Sequence, residues 1–347
     1  MIAPLTHIVL LLAVLPIGMF LPRTARLVLL TVVGMGAMLL LVPAAFWVIL
    51  LTCLEGLALE AALRRRPRTS MWRQYLPYVM LLNLFTTDIA SAWAPGRFLM
   101  AGVAFAVVRV FMTTKQLLGS SSTGRAERWI SVFAGGFFLP VLVVGPVLSG
   151  TALWAQRAAE PETGTTESMY RRLAFGWFLT VLAAPWMHDL AGGDGLGRVT
   201  APLVMLALFA HLFFAFWGQS LIAESGAALS GFSVPRNFDQ PWRALDIREF
   251  WNRWHVSMAR FVTQYVFLPL NLRKVPPKVA TVVAFTFMGL WHEVRPGYVI
   301  WGVCHGLVMA FAPRVTAESP AHVRWTSRLL TLSLVVCLSY VANHAFG

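Results

Sequence analysis

Long apolar runs constrain this chain more than any other feature of its sequence. Stretches such as 27–63 and 201–222 are dominated by aliphatic and aromatic residues, and the polar residues collect in short segments between such runs. Hydrophobic residues make up 58% of the 347 residues and charged residues only 12%, against about 25% charged residues in a soluble domain. Since a helix needs about 20 mostly apolar residues to cross a bilayer, the sequence predicts an all-α, polytopic integral membrane protein.

Prolines and basic residues divide these runs into about ten to eleven predicted helices, including short, broken and interfacial ones. Pro43 divides the run 27–63 into two helices, and Pro140 and Pro146 break the run 130–150, because proline removes a backbone donor and clashes with the preceding turn. The first run, 5–21, is expected to be a retained span, since no small-residue cleavage site follows it. No internal repeat is apparent, so we expect a single membrane-embedded domain over residues 1–347.

The net charge of +13 has its simplest explanation in membrane topology. Basic residues lie mostly between the apolar runs, and the cluster at 64–68 gives the strongest positive-inside signal. We therefore expect a multi-pass protein of the inner (cytoplasmic) membrane, with that loop in the cytoplasm and in contact with anionic lipid. No nucleic-acid-binding motif accompanies the charge, so a nucleic-acid partner is not expected.

The stretch 250–306 places three histidines among tryptophans and glycines. A buried imidazole is costly, so each of His255, His292 and His305 needs a structural or functional reason. Apolar residues recur around His255 with the offsets of one helix face. This periodicity predicts one amphipathic, interfacial helix over 250–262 with His255 pointing inward.

Depth along the next predicted helices separates His292 from His305. If a helix begins at Gly297, His305 lies roughly 12 Å along it, while His292 stays near the membrane edge. A buried, neutral imidazole suits a general base that takes a proton from a hydroxyl. A structural histidine bonded to a neighbouring helix is the alternative. A metal site shared by His255, His292, His305 and Glu293 is disfavoured by the same separation. The cysteines form no C-x-x-C pair either, so no metal site is expected.

Six short blocks, taken in order, resemble the membrane-bound O-acyltransferase family, in its bacterial branch of alginate O-acetyltransferases and teichoic-acid D-alanyl transfer proteins. The resemblance covers residues 137–311. The blocks are F-F-L-P with G-P at 137–146, N-F-D-Q-P-W at 237–242, F-W-N-R-W-H-V-S at 250–257, Y-V-F-L-P-L at 265–270, G-L-W-H at 289–292 and W-G-V-C-H-G at 301–306.

This resemblance implies helices around a central cavity and acyl transfer from a thioester to a hydroxyl. His305 matches the invariant histidine of the family, expected as general base, and His255 matches its second functional histidine. The donor would be acyl-CoA or an acyl-carrier-protein thioester acting as co-substrate, with no permanently bound cofactor. The acceptor would be a hydroxyl of an envelope polysaccharide or its precursor, and accessory envelope proteins are possible partners.

Several alternatives remain open within this interpretation. The acceptor could be a lipid alcohol or a secreted small molecule, and a non-enzymatic transporter or scaffold could use the same cavity. We expect four tryptophans to line the cavity: Trp251, Trp254, Trp291 and Trp301. Arg273 and Lys274, with Lys278 nearby, could meet donor phosphates or an acidic carrier protein, or could simply anchor the chain against lipid headgroups.

Overall fold

The computed structural model describes residues 2–84, 97–120, 123–158, 166–192 and 201–344. Within these ranges the chain is helical, with connecting turns and loops, and the pairing of Phe238 with Trp254 is an isolated antiparallel β-bridge outside any strand. The all-α prediction is confirmed.

The first helices of the chain differ widely in length. They are α1 (Ile2–Met19), α2 (Arg23–Leu41), α3 (Pro43–Leu63), α4 (Met71–Tyr75), α5 (Arg97–Gly119), α6 (Arg125–Phe137), α7 (Gly150–Ala155) and α8 (Thr166–Phe178). As predicted, Pro43 separates two helices: α2 ends at Leu41 and α3 begins at the proline, where its missing N–H has no intrahelical partner in any case.

The second half contains both the longest helix and several of the shortest. These helices are α9 (Ala184–Gly192), α10 (Ala201–Leu229), α11 (Ile247–Arg253), α12 (Val256–Val262), α13 (Leu268–Leu272), α14 (Pro277–His292), α15 (Pro296–Phe311) and α16 (Ala321–His344). Two π-helical turns, Leu179–Ala183 and Thr263–Phe267, lead into α9 and α13.

Among the described residues, α2, α3, α10 and α16 are long and apolar enough to cross a membrane by length and composition. The shorter α15 is also apolar. Apolar side chains on these helices remain exposed, including Leu40, Leu51, Leu203 and Leu330. Lipid is the solvent such surfaces require, so the chain is an integral membrane protein.

The described chain forms two compact units. Unit 1 comprises Met1–Trp177 with Gln219–Pro235, and unit 2 comprises Phe178–Gly218 with Arg236–Gly347. In unit 1 the predicted proline break is present: α6 ends at Phe137, a 3-10 turn holds Pro140, and every residue from 137 to 150 is buried. Irregular backbone is tolerated at membrane depth when protein covers it in this way.

Glycines allow α14 and α15 of unit 2 to pack at backbone distance. A Cβ at Gly289 would collide with the Tyr298 carbonyl oxygen, and one at Gly302 would lie 2.5 Å from the Phe285 carbonyl oxygen. A Cβ at Gly306 would lie 2.7 Å from the Val282 Cα. Small residues at helix contacts are the usual means of close approach in membranes, and this contact fixes α15 against α14.

We predict that Gly289→Ala destabilises unit 2, because its new methyl group must displace the Tyr298 backbone. Thermal unfolding of the purified chain in mild detergent should show a fall in Tm of about 5–10 °C. Gly36→Ala in α2 is the matched control, since a Cβ there meets nothing within 4 Å and alanine favours helix. Equal Tm values for Gly289→Ala and Gly36→Ala would contradict the proposed backbone contact.

Candidate active site

The short helix α11 is fixed at its beginning by Asp246. One carboxylate oxygen of Asp246 accepts from the Glu249 N–H at 2.9 Å and caps the helix, and the other accepts from the Val315 N–H at 3.0 Å. Arg248 also donates to the Ala312 carbonyl at 2.6 Å. These bonds tie the start of α11 to the segment that follows α15, so the side chains of α11 are held at a fixed position beside that helix.

The predicted continuous helix over 250–262 is wrong. Helix α11 ends at Arg253, Trp254 is extended, and His255 adopts a left-handed conformation with φ 46° before α12 begins at Val256. The backbone here pairs with the segment before α11: the Asp239 N–H donates to the Arg253 carbonyl at 2.9 Å, and the Val256 N–H donates to the Asn237 carbonyl at 3.0 Å.

These hydrogen bonds give the physical reason for the break. A left-handed residue other than glycine costs about 1–2 kcal/mol, and it persists because the pairing on both sides of His255 over-determines its backbone. The inward orientation of the His255 side chain was nevertheless predicted correctly, since it is only 3% exposed.

Aromatic rings enclose His255. Its imidazole lies edge-on to the Phe216 ring with centroids 4.7 Å apart, and 5.9 Å from the Trp291 ring. Ser257 follows His255 by two residues. Its hydroxyl donates to the Asn237 side-chain oxygen at 2.5 Å, and both Ser257 and Asn237 are buried. Asn237 therefore braces the turn that presents His255 through its backbone and its side chain.

His305 is fully buried in the middle of α15. The Trp301 ring, one turn earlier, lies 4.5 Å from it, and the Trp251 ring approaches edge-on from α11 at 5.2 Å. The Phe285 ring of α14 stacks at 6.3 Å. Three helices of unit 2 thus hold the imidazole in an aromatic enclosure that excludes water.

Hydrogen bonding fixes the tautomer of His305. Its Nδ1 lies 2.9 Å from the Trp301 carbonyl oxygen, and since a carbonyl can only accept, Nδ1 carries the proton in the neutral ring. The lone pair is then on Nε2, which is buried and has no hydrogen-bond partner among the described residues. A buried acceptor that makes no hydrogen bond is costly, and this one has the form required to receive a proton.

His292 differs from the other two histidines. It is the last residue of α14, its side chain is exposed, and its ring lies 5.6 Å from Tyr298 and 5.7 Å from Trp301. The neighbouring Glu293 pairs with Arg295 at 2.6 Å. The end-of-helix position expected for His292 is therefore observed. Across the ranges that the structure describes, no three His, Cys, Asp or Glu side chains are placed to hold a metal ion.

Three of the four tryptophans named from the sequence contact a histidine. Trp251 and Trp301 contact His305, and Trp291 contacts His255. The Trp254 ring packs instead in a cluster with four phenylalanines: Phe209, Phe213, Phe238 and Phe250. That these indoles line a substrate cavity stays a prediction.

The basic cluster lies at the opposite end of the α14–α15 pair from His292. Arg273 and Lys274 are exposed just after α13, and the ammonium of Lys278 lies 4.4 Å from the centre of the Phe311 ring, at the end of α15. An exposed position suits either a phosphate or a lipid headgroup, so the role of Arg273 and Lys274 stays a prediction.

Sequence reasoning missed two neighbours of the histidines, Phe216 and Phe285. Phe285 lies one turn before Gly289, so the glycine contact between α14 and α15 carried a signal for it. Phe216 belongs to α10, and only the folded chain brings it to His255.

We predict that Asp246→Ala loosens the attachment of α11. It removes a helix cap and leaves the Val315 N–H without its acceptor, so the free energy of unfolding should fall by about 2–3 kcal/mol in chemical denaturation. Asp239→Ala is the matched control, because this exposed carboxylate meets Arg253 only at 3.5 Å and should change stability by less than about 0.5 kcal/mol. Equal losses would show that the Asp246 contacts do not anchor α11.

Residues 130–317 match the membrane-bound O-acyltransferase family. The chain is 27% identical over 188 residues to a peptidoglycan O-acetyltransferase of Helicobacter pylori, covering 50% of this chain and 35% of that protein. It is 30% identical over 149 residues to a teichoic acid D-alanyltransferase of Streptococcus thermophilus, covering 40% of this chain and 36% of that protein.

A probable alginate O-acetylase of Pseudomonas aeruginosa is 30% identical over 220 residues, which cover 59% of this chain and 41% of that protein. The chain thus spans well under half the length of the curated relatives it matches. The family match includes every block from F-W-N-R-W-H-V-S to W-G-V-C-H-G. The chain belongs to the membrane-bound O-acyltransferase family.

Proposed function

We propose that this chain transfers an acyl group, acetyl or another short acyl, from a thioester to a hydroxyl of an envelope polysaccharide or its precursor. The family match supports the reaction class. The relatives are named for acetylation of peptidoglycan and alginate and for D-alanylation of teichoic acid. These polymers share an envelope location and free hydroxyl groups, which supports an acceptor of this class and a site of action at the inner membrane.

The free Nε2 of His305 is the observation that carries this proposal. In the proposed step, Nε2 takes the proton of the acceptor hydroxyl while its oxygen attacks the thioester carbonyl carbon. The C–S bond then breaks, and the leaving thiolate takes the proton back from Nε2, so the imidazole ends the cycle neutral. Because Nδ1–H already donates to the Trp301 carbonyl, the ring needs no tautomer change before it acts.

Water exclusion is the second requirement of this reaction, because water would compete with the acceptor for the acyl group. The rings of Trp251, Trp301 and Phe285 enclose His305 and supply this exclusion. His255 also lies in unit 2, and its ring contacts that of Trp291. Its proposed role is to orient or polarise a reactant, while His292, exposed at the end of α14, is assigned a structural role.

We predict that His305→Ala lowers envelope O-acylation by at least about two orders of magnitude, the scale of a lost general base. The measurement is mass spectrometry of envelope polymers from cells lacking the protein and complemented with each variant. His255→Ala should also be severe and His292→Ala milder. His322→Ala, at an exposed histidine on α16, is the control for removal of an imidazole.

Near-normal acylation by His305→Ala would contradict the proposed mechanism and favour a transporter or scaffold that passes an acyl group or lipid to a partner. The variants could instead lose acylation of lipid alcohols or of secreted small molecules while acylation of envelope polymers is unchanged. That outcome would support the proposed chemistry but would contradict the proposed acceptor. Loss greatest in His292→Ala would contradict the assignment of the three histidines.

The donor is proposed to be acyl-CoA or an acyl-carrier-protein thioester, with Arg273 and Lys274 meeting its phosphates. Replacing both by alanine should raise the KM for the donor with little change in kcat, because these exposed side chains would bind ground and transition states alike. Arg65→Ala with Arg68→Ala removes the same charge from a loop far along the chain and is the control. An unchanged KM would assign Arg273 and Lys274 to lipid contact alone.

A further inference from the structure

Arg109 of unit 1 is a buried cation that forms no ion pair with any of the described residues. Its side chain is fully buried in the middle of α5. At about 1.5 Å per residue it lies roughly 18 Å from the first residue of that helix and roughly 15 Å from its last. A charged side chain that is fully buried in the middle of a helix is costly, so it needs a partner that satisfies it.

The guanidinium of Arg109 uses only one of its three nitrogens. Nε donates to the Gly135 carbonyl of α6 at 2.8 Å, whereas Nη1 and Nη2 are buried and have no hydrogen-bond partner among the described residues. Of the ion pairs formed within the described ranges, none includes Arg109. Removing an unpaired guanidinium from water costs several kcal/mol, and an anionic acceptor would both satisfy its free edge and neutralise its charge.

A second buried arginine of unit 1 shows how the chain satisfies such a group when it does so internally. Arg73 donates from Nε to the Leu118 carbonyl at 3.0 Å and from Nη1 to the Arg64 and Arg66 carbonyls at 3.1 and 2.6 Å. Its Nη2 also bonds to Leu118. Arg109 has no such set of carbonyls, so burial in this unit does not by itself leave arginine donors unused.

Three polar side chains on the helices around Arg109 are hydroxyls or a thiol, and none of the three carries a negative counter-charge. Ser131 lies one turn before Gly135 on α6, is fully buried, and its hydroxyl has no partner among the described residues. The Thr113 hydroxyl is already committed, since it donates to the Arg109 carbonyl at 2.7 Å and receives the Gly150 N–H at 2.8 Å. The Cys53 thiol points to the Val132 carbonyl at 3.7 Å.

We propose that the Nη1 and Nη2 edge of Arg109 binds a small monovalent anion, either a halide or a short carboxylate. Both chemistries present acceptors that match the two parallel donors of a guanidinium. One unit of negative charge neutralises the site, while a divalent anion would leave a net charge in the interior. Arg109 is fully buried, which favours a small ion over the bulky headgroup of a lipid. This site is independent of the histidines of unit 2.

Thermal unfolding of the full chain in mild detergent tests the proposal. Sodium gluconate, whose anion is much larger than the other three, is replaced stepwise by chloride, bromide or acetate at constant ionic strength. Binding to the folded state alone should raise Tm with the logarithm of the anion concentration once that concentration exceeds the Kd, by about 5 °C at 100 times the Kd. A rise in Tm with chloride and bromide identifies a halide site, and a rise in Tm with acetate identifies a carboxylate site.

Two variants separate binding at Arg109 from general salt effects. Arg109→Gln keeps a donor for the Gly135 carbonyl but removes the charge, and should abolish the anion-dependent rise in Tm. Arg73→Gln removes a buried arginine whose donors are satisfied, so it should lower Tm while retaining the anion dependence.

The anion titration of the wild-type chain tests the proposal even if Arg109→Gln fails to fold. A Tm independent of every small anion, or one that rises equally with chloride, bromide, acetate and gluconate, overturns the proposal. An anion-specific rise in Tm that persists unchanged in Arg109→Gln overturns it as well. Anomalous scattering from bromide beside Arg109 in crystals grown with that anion would locate the ion directly and support it.

Discussion

The hydrogen bond from His305 Nδ1 to the carbonyl of Trp301 is the interaction on which the proposed chemistry depends. It lies within a single helix and uses a carbonyl one turn earlier, so no carboxylate is needed to orient the ring. A carboxylate partner would bring a second buried group that has to be desolvated. The backbone of α15 instead sets the tautomer, and Nε2 points away from the bond that fixes it.

The packing around His305 follows from the need to hold that helix in place. Glycines let α14 approach α15 at backbone distance, and Asp246 ties α11 to the segment after α15. Trp251 then meets His305 edge-on, an arrangement that aromatic rings favour. The contacts of the glycines and of Trp251 are neutral, and the Asp246 carboxylate has both oxygens hydrogen-bonded to backbone N–H groups, so none of these contacts leaves an unpaired charge.

Much of the fold could be predicted because the ends and lengths of its helices are determined by local sequence features. Pro43 and Pro140 end helices wherever they lie in the bilayer, and the length of the apolar runs indicates membrane helices without reference to the rest of the chain. Burial of His255 and His305 was also predictable from the apolar residues around them. The family resemblance assigned their roles, and the geometry supplies what the pattern could not, the tautomer of His305.

The break at His255 could not be predicted, because the local pattern favours the wrong structure. Helical periodicity continues through Trp254 and His255, and neither glycine nor proline marks the turn. The break depends on pairing with the segment at Asn237 and Asp239. The unpaired edge of Arg109 was missed for a related reason: a single arginine inside an apolar helix gives no indication of which carbonyls the fold will bring to it.

The left-handed residue between α11 and α12 has a consequence for how sequences of this type can diverge. The turn at His255 is held from both sides, so the four-residue step from Trp251 to His255 behaves as a fixed length. Adding or deleting one residue within α11 would rotate Trp251 by about 100° around the helix while the turn stayed where it is. We therefore expect sequences of this type to differ by substitutions within α11, and to carry insertions and deletions in the connecting loops.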